Sequence, residues 1–214
     1  MVVLLAGATG LVGRECLRLL AADPAVSRVV VLARRALQLP APPDKLAVHL
    51  VDFERLGTVA PLLVADAVVC ALGTTMRVAR SRERFRQVDC GYAVAFARLA
   101  LAGGARHFLL VSALGVDARS RVFYNRVKGE TEDAIRALGY RSLTIVRPSV
   151  LLGDRGEFRL GEAMAKRIAS LVPGRLRAVS AAAVAAVLVR AAIEDAPGTR
   201  VIESEAIRRP ARLP

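Results

Sequence analysis

Residues 2–6 are the apolar run Val2-Val3-Leu4-Leu5-Ala6, which leads directly into Gly7-Ala8-Thr9-Gly10-Leu11-Val12-Gly13. After this turn the pattern changes period, and Leu11 to Ala22 reads as a helix. Few junctions restrict a chain so strongly. Three glycines between a strand and a helix have separate tasks: a tight turn, close approach of backbone to a ligand, and close packing of helix on strand. The free amides at the helix start face a negative group, which the helix dipole also favours. The junction predicts a pyrophosphate site and hence a dinucleotide. A mononucleotide loop is disfavoured, because Arg14-Glu15 stands where a Gly-Lys-Ser/Thr sequence would be needed.

The rest of the chain repeats the alternation. Strands are predicted at Val2 to Ala6, Arg28 to Ala33, Leu46 to Val51, Asp66 to Leu72, Arg106 to Ser112, Ser142 to Arg147 and Thr199 to Glu203. Helices are predicted at Leu11 to Ala22, Glu54 to Val64, Ser81 to Ala102, Arg121 to Leu138, Gly161 to Ser170 and Ser180 to Glu194. Runs such as Val29-Val30-Val31-Leu32 have no polar face, as expected of parallel strands covered by helices on both sides. The expected fold is a doubly wound α/β parallel sheet, a Rossmann fold, formed by residues 1–214 as one domain. Beyond Pro148 the alternation loosens into a small substrate-side subregion. The Pro-rich segment 39–43 reads as a surface loop.

Composition narrows the function classes. In 214 residues, 54% are hydrophobic and 24% charged, so neither disorder nor a need for disulfides or metals is indicated. Cys16, Cys70 and Cys90 are an odd, scattered set that suits a reducing compartment. No apolar stretch reaches membrane-spanning length and no positive leader precedes Val2, so a soluble, cytoplasmic protein without a membrane partner is expected. The net charge is +13. Almost all the cations are arginine, as in chains from GC-rich bacterial genomes. The charge would suit polyanions, but aromatic residues do not interleave with it, which argues against nucleic acid. The densest cluster, Arg77, Arg80, Arg82, Arg84 and Arg86, reads as a solvated helix face, with recognition of an acidic substrate or partner as the alternative. His49 and His107 lack metal-ligand spacing, so no metal site is expected. Cys70 is expected to be buried and inert.

At the end of the second strand, Ala33-Arg34-Arg35 occupies the place where a dinucleotide site meets the adenosine ribose. A carboxylate there would bind the 2′-hydroxyl, whereas arginine suits a 2′-phosphate, so NADP is preferred over NAD. Farther on, Ser112 ends the fifth strand, and Tyr124 and Lys128 share a helix face at i,i+4. A tyrosine hydroxyl titrates near pH 10, too high for easy proton transfer at neutral pH, and a neighbouring ammonium favours its phenolate. Ser112 can hydrogen-bond the substrate oxygen. Hydride transfer to or from a small carbonyl or alcohol follows, with the substrate's identity left open. A non-catalytic, NADP(H)-binding redox sensor that docks a protein partner is the alternative. Self-association as a homodimer also stays open.

These residues resemble the short-chain dehydrogenase/reductase superfamily, within it the atypical branch that includes the Tat-interacting-protein oxidoreductases. The likeness is carried by Gly7 to Gly13, Cys70-Ala71-Leu72-Gly73-Thr74-Thr75, Ser112 with Tyr124 and Lys128, and Arg147-Pro148-Ser149-Val150-Leu151-Leu152-Gly153. It implies that Gly7, Thr9, Gly10, Leu11, Val12 and Gly13 hold the pyrophosphate and that Leu72, Gly73 and Thr74 line the cofactor. It further implies that Asp52-Phe53 lies against adenine and that Pro148, Ser149 and Val150 approach the nicotinamide. Ser112, Tyr124 and Lys128 match the catalytic positions, the last also as ribose anchor. Many relatives have glycine where this chain has Ser149. A fourth catalytic asparagine is not evident, and Asp89 falls near where one would be sought. Several members of the branch resemble cofactor-dependent regulatory proteins.

Overall fold

The computed structural model describes residues 1–37, 44–152 and 177–208. The main sheet contains seven strands: β1 (Val2–Ala6), β2 (Arg28–Ala33), β3 (Leu46–Leu50), β4 (Ala67–Cys70), β5 (His107–Val111), β6 (Ser142–Arg147) and β9 (Gly198–Glu203). Their spatial order is β3-β2-β1-β4-β5-β6-β9, and all neighbours run parallel. The chain winds outward from β1 in one direction, then returns to place β4 on its other side. That reversal opens a crevice at the carboxyl ends of β1 and β4, where ligands of such sheets bind. A separate parallel pair joins β7 (Leu151–Leu152) and β8 (Val179–Ser180).

Both faces of the sheet are covered, which explains its uninterrupted apolar strands. Val3 and Leu5 of β1 point to one side, where they meet α1 (Leu11–Ala22) and α6 (Ala181–Glu194) through Leu17, Leu20, Val184 and Leu188. Leu4 and Ala6 point to the other, where α4 (Tyr92–Ala102) supplies Phe96 and Ala97 and α5 (Phe123–Arg136) supplies Ile135. Ser180 starts α6 by accepting a hydrogen bond from the Ala183 amide at 3.1 Å.

Two expected helices differ in form. Glu54 to Val64 is a 3₁₀ segment, Phe53–Leu62, kinked at Arg55 and Val59, with Gly57 and Pro61 both unfavourable to a regular α-helix. Ser81 to Ala102 divides into α3 (Arg82–Arg86), a π-turn at Gln87–Gly91, and α4. Two short helices were not expected: α2 (Met76–Ala79) after β4, and α7 (Ser204–Arg208) after β9. The other elements agree within two residues at each end. The proposed loop at 39–43 and helix at 161–170 lie outside the described residues.

Candidate active site

The glycine turn is built as its sequence requires. Gly7 has φ of +92°, and a Cβ there would run into the backbone of Ala71 after β4. A Cβ on Gly13 would meet the Gly7 backbone, so Gly13 serves the packing of α1 on β1. Gly10 precedes α1 in an extended conformation, no side chain caps it, and no acidic residue occupies the first turn. The first amides of α1 are therefore left to an anion.

Gly7, Thr9 and Gly10 form the floor of a cavity of about 550 Å³. Its far wall is Arg34 and Arg35 at the end of β2, with Phe53 and Tyr92 beside them. The Phe53 and Tyr92 ring centroids lie 5.7 Å apart, offering an apolar wall to a flat heterocycle. Among the described residues no carboxylate lines this cavity. Leu72, Gly73 and Thr74, with Gly10, Ala71 and Thr75, are shared with a second cavity of about 170 Å³. An elongated molecule with a central diphosphate fits this pair: an uncapped helix start in the middle, a larger chamber edged by Arg34, Arg35, Phe53 and Tyr92 on one side, and a smaller chamber of mixed polar and apolar lining on the other.

The smaller chamber brings Ser112, Tyr124 and Lys128 together with Leu11, Val12 and Asp89. Tyr124 and Lys128 project from successive turns of α5, and Ser112 follows β5, its amide donating to the Val146 carbonyl at 2.8 Å. Lys128 is buried, with its Nζ 2.7 Å from Asp89 Oδ1. Burial lowers the ammonium's pKa, but the Asp89 carboxylate and Tyr124 outweigh that effect, so the net shift is upward. Cys70 lies beneath, fully buried, its thiol pushed up to about 11 by desolvation.

One further turn along the same face of α5 stands Glu132, wholly buried. Burial pushes its carboxyl up, but hydrogen bonds from Arg147, Ser112 and Arg136 hold it below the ordinary value. Arg147 reaches it through Nε at 3.0 Å and an Nη at 2.6 Å, and Arg136 at 2.8 Å. An ionised carboxylate only accepts, so the 2.5 Å contact from Ser112 Oγ is a donation by Ser112. Ser112 thus turns lone pairs toward the cavity. It can engage a ligand only as an acceptor, toward a hydroxyl rather than a bare carbonyl oxygen, which corrects the role expected from sequence.

Five expected contacts are not at the cavity walls: Gly13, which packs α1 on β1, and Asp52, Pro148, Ser149 and Val150. Asp52 caps the 3₁₀ segment, accepting from the Glu54 amide at 2.9 Å. Pro148, Ser149 and Val150 line neither chamber; Leu151 does. Ser149 Oγ donates to the Arg177 carbonyl and accepts from Ser204 Oγ, and Val150 is 68% exposed. Gly153 lies outside the described residues. The arginine cluster is partly anchored: Arg84 binds Glu54 and the Tyr92 hydroxyl, Arg86 binds Glu130, and Arg82 lies over the Phe123 ring. No group of three or more His, Cys, Asp or Glu side chains suited to a metal occurs among the described residues. Sequence reading missed Glu132. Its signal was present, since Tyr124, Lys128 and Glu132 fall at i, i+4 and i+8.

The family model for NAD(P)H-binding proteins matches residues 7–195. The chain belongs to this NAD(P)H-binding family. Protein HTATIP2 of Rattus norvegicus is 37% identical over 173 residues, covering 80% of this chain and 71% of the rat protein. The mitochondrial protein fmp52 of Emericella nidulans is 35% identical over 171 residues, covering 77% and 72% respectively. Within the family, the chain is an atypical short-chain dehydrogenase/reductase of the HTATIP2 branch. Its fold is similar to that of MoeE5 in complex with UDP-glucose and NAD, with a TM-score of 0.73 and 16% identity over 94% of this chain and 75% of that one. It is also similar to the dTDP-glucose 4,6-dehydratase DesIV of Streptomyces venezuelae with NAD and TYD bound, with a TM-score of 0.70 and 16% identity over 94% and 74%. No helix among the described residues is long and apolar enough to cross a membrane.

Proposed function

We propose that the protein is an NADP-dependent oxidoreductase of the cytoplasm that interconverts a small carbonyl compound and its alcohol. The observation that carries this reading is the meeting of Ser112, Tyr124 and Lys128 around one small chamber that shares a wall with the glycine-turn cavity. NADP(H), when bound, would supply or accept the hydride at the reacting carbon. Tyr124 gives its phenolic proton to the oxygen during reduction and takes one up during oxidation. Lys128 places a positive charge beside Tyr124 that stabilises the phenolate left behind. Ser112, its own hydrogen given to Glu132, accepts from a ligand hydroxyl other than the reacting one, whose proton Tyr124 exchanges. The uncapped amides of α1 hold the diphosphate, while Arg34 and Arg35 favour a 2′-phosphate over a free ribose hydroxyl.

A non-catalytic NADP(H) sensor is the second reading, favoured by the internal use of the Ser112 hydrogen by Glu132. A screen of small carbonyls, followed by loss of NADPH absorbance, separates the two. In the enzyme reading, Y124F lowers turnover by about 10²- to 10⁴-fold and leaves NADPH affinity unchanged. Equal turnover in Y124F would overturn the assignment. Tight NADPH binding with no turnover of any carbonyl would favour the sensor.

A further inference from the structure

Asp89 is buried in the π-turn, a local widening that adds a residue between α3 and α4 and rotates this side chain inward. Both carboxylate oxygens are used. Oδ1 meets Lys128 Nζ at 2.7 Å, and Oδ2 accepts the Thr74 amide at 2.8 Å. Thr131 Oγ1 of α5, whose hydrogen goes to the Val127 carbonyl at 2.7 Å, also lies 3.2 Å from the Asp89 carbonyl, so the π-turn packs against the helix that carries Tyr124 and Lys128. A Cβ on Gly73 would lie 3.5 Å from Asp89 Oδ1 and 3.8 Å from Lys128 Nζ, so the cavity-lining backbone runs directly over the pair. The titratable groups facing the ammonium are Asp89 from the π-turn, Tyr124 from α5 and Cys70 from β4. The Cys70 thiol stays neutral at physiological pH, so the counter-charges to the ammonium are the Asp89 carboxylate and the phenolate of Tyr124 when that has given up its proton.

We propose that Asp89 is a positioning residue for Lys128: its carboxylate keeps the buried ammonium charged and fastens it to the Gly73–Thr74 backbone, so that lysine and loop meet the cofactor as one unit. The proposal rests on the NADP(H)-binding reading. A buried lysine without a counter-ion loses its proton at much lower pH, whereas a paired one does not. The choice of residue therefore decides whether cofactor binding depends on pH. D89N isolates the charge, because an asparagine oxygen can still accept from the Thr74 amide.

The test is NADPH affinity, read by the cofactor's fluorescence from pH 7 to 10, above the range in which its phosphates titrate. Wild type is expected to bind with a flat profile. D89N is expected to bind within about threefold of wild type at pH 7 and to weaken by about tenfold or more as pH rises. The D89N/K128M double variant is expected to lack that break, which a purely structural role for Asp89 would not produce. Should D89N fail to fold, D89S, which also removes the charge beside Lys128 Nζ, carries the same titration. A flat profile in D89N, or in D89S where that variant stands alone, overturns the proposal while leaving cofactor binding intact. Failure of wild type to bind NADPH at any pH removes the underlying reading as well.

Discussion

Asp89 and Glu132 are equally hidden carboxylates, each with a side chain 1% exposed, yet they differ in what surrounds them. Asp89 meets one ammonium and one backbone amide, both at the cofactor crevice. Glu132 meets two guanidinium groups and the Ser112 hydroxyl, and Arg147 continues outward to Glu203 on β9 at 2.9 Å. The first carboxylate is local to one functional cation. The second braces β5, α5, β6 and β9 against one another. Equal burial therefore does not mean equal duty; the number and distribution of partners sets it.

The comparison predicts a large difference in stability. E132A leaves Arg136, Arg147 and Ser112 without their shared partner and should cost about 3–5 kcal/mol in urea unfolding. D89N retains an acceptor for Thr74 and leaves one buried ammonium unpaired where E132A leaves two guanidinium groups, so it should cost less, about 3 kcal/mol, alongside its effect on cofactor binding. Equal losses would erase the distinction.

A third buried group, at the opposite end of β5 from Ser112, sharpens it on the pH axis. His107 begins β5, bonds Thr144 Oγ1 at 2.9 Å, and is pushed down to about 4 chiefly by burial, opposed by Asp195 and aided by Arg200 and Arg141. Its folded value lies below the ordinary value of 6.5, so the unfolded chain takes up a proton first. Stability is full above pH 6.5 and falls as pH drops toward 4, by about 3 kcal/mol. H107Q should flatten that slope. Glu132, held below the ordinary carboxylate value, gives way only at more acidic pH, so a loss of stability between pH 6.5 and 4.5 that persists in H107Q would point to another group.

The strands and the glycine turn were legible because both depend on local rules. Apolar runs buried on two faces lose their alternation, and Gly7 and Gly13 occupy positions where any Cβ would meet backbone. The Tyr124–Lys128 pair was legible from helix spacing. Asp89 was noticed by position, but its ion pair with Lys128 depends on a π-turn, and no periodicity reports one added residue within a helix. Glu132 was hidden by expectation, since a glutamate on a helix usually faces water and its burial is made tolerable by Arg147 of β6 and Ser112 after β5, together with Arg136. Ser149 is held by residues 177 and 204, Pro148 by Leu114 and Val150 by Val179, partners mostly too distant in sequence to read.

The smallest expected effect concerns the adenosine end. Arg34 and Arg35 are exposed, so R34A or R35A should weaken NADPH binding by about tenfold, leave NADH binding unchanged and spare stability. A parallel loss for both cofactors would place these arginines elsewhere than at a 2′-phosphate.

Titration calorimetry of the purified, cofactor-free protein with NADPH and with NADH tests the central claim most directly. Saturable one-to-one binding is expected with both, tighter for NADPH. The absence of heat from either nucleotide at millimolar concentration would contradict the account.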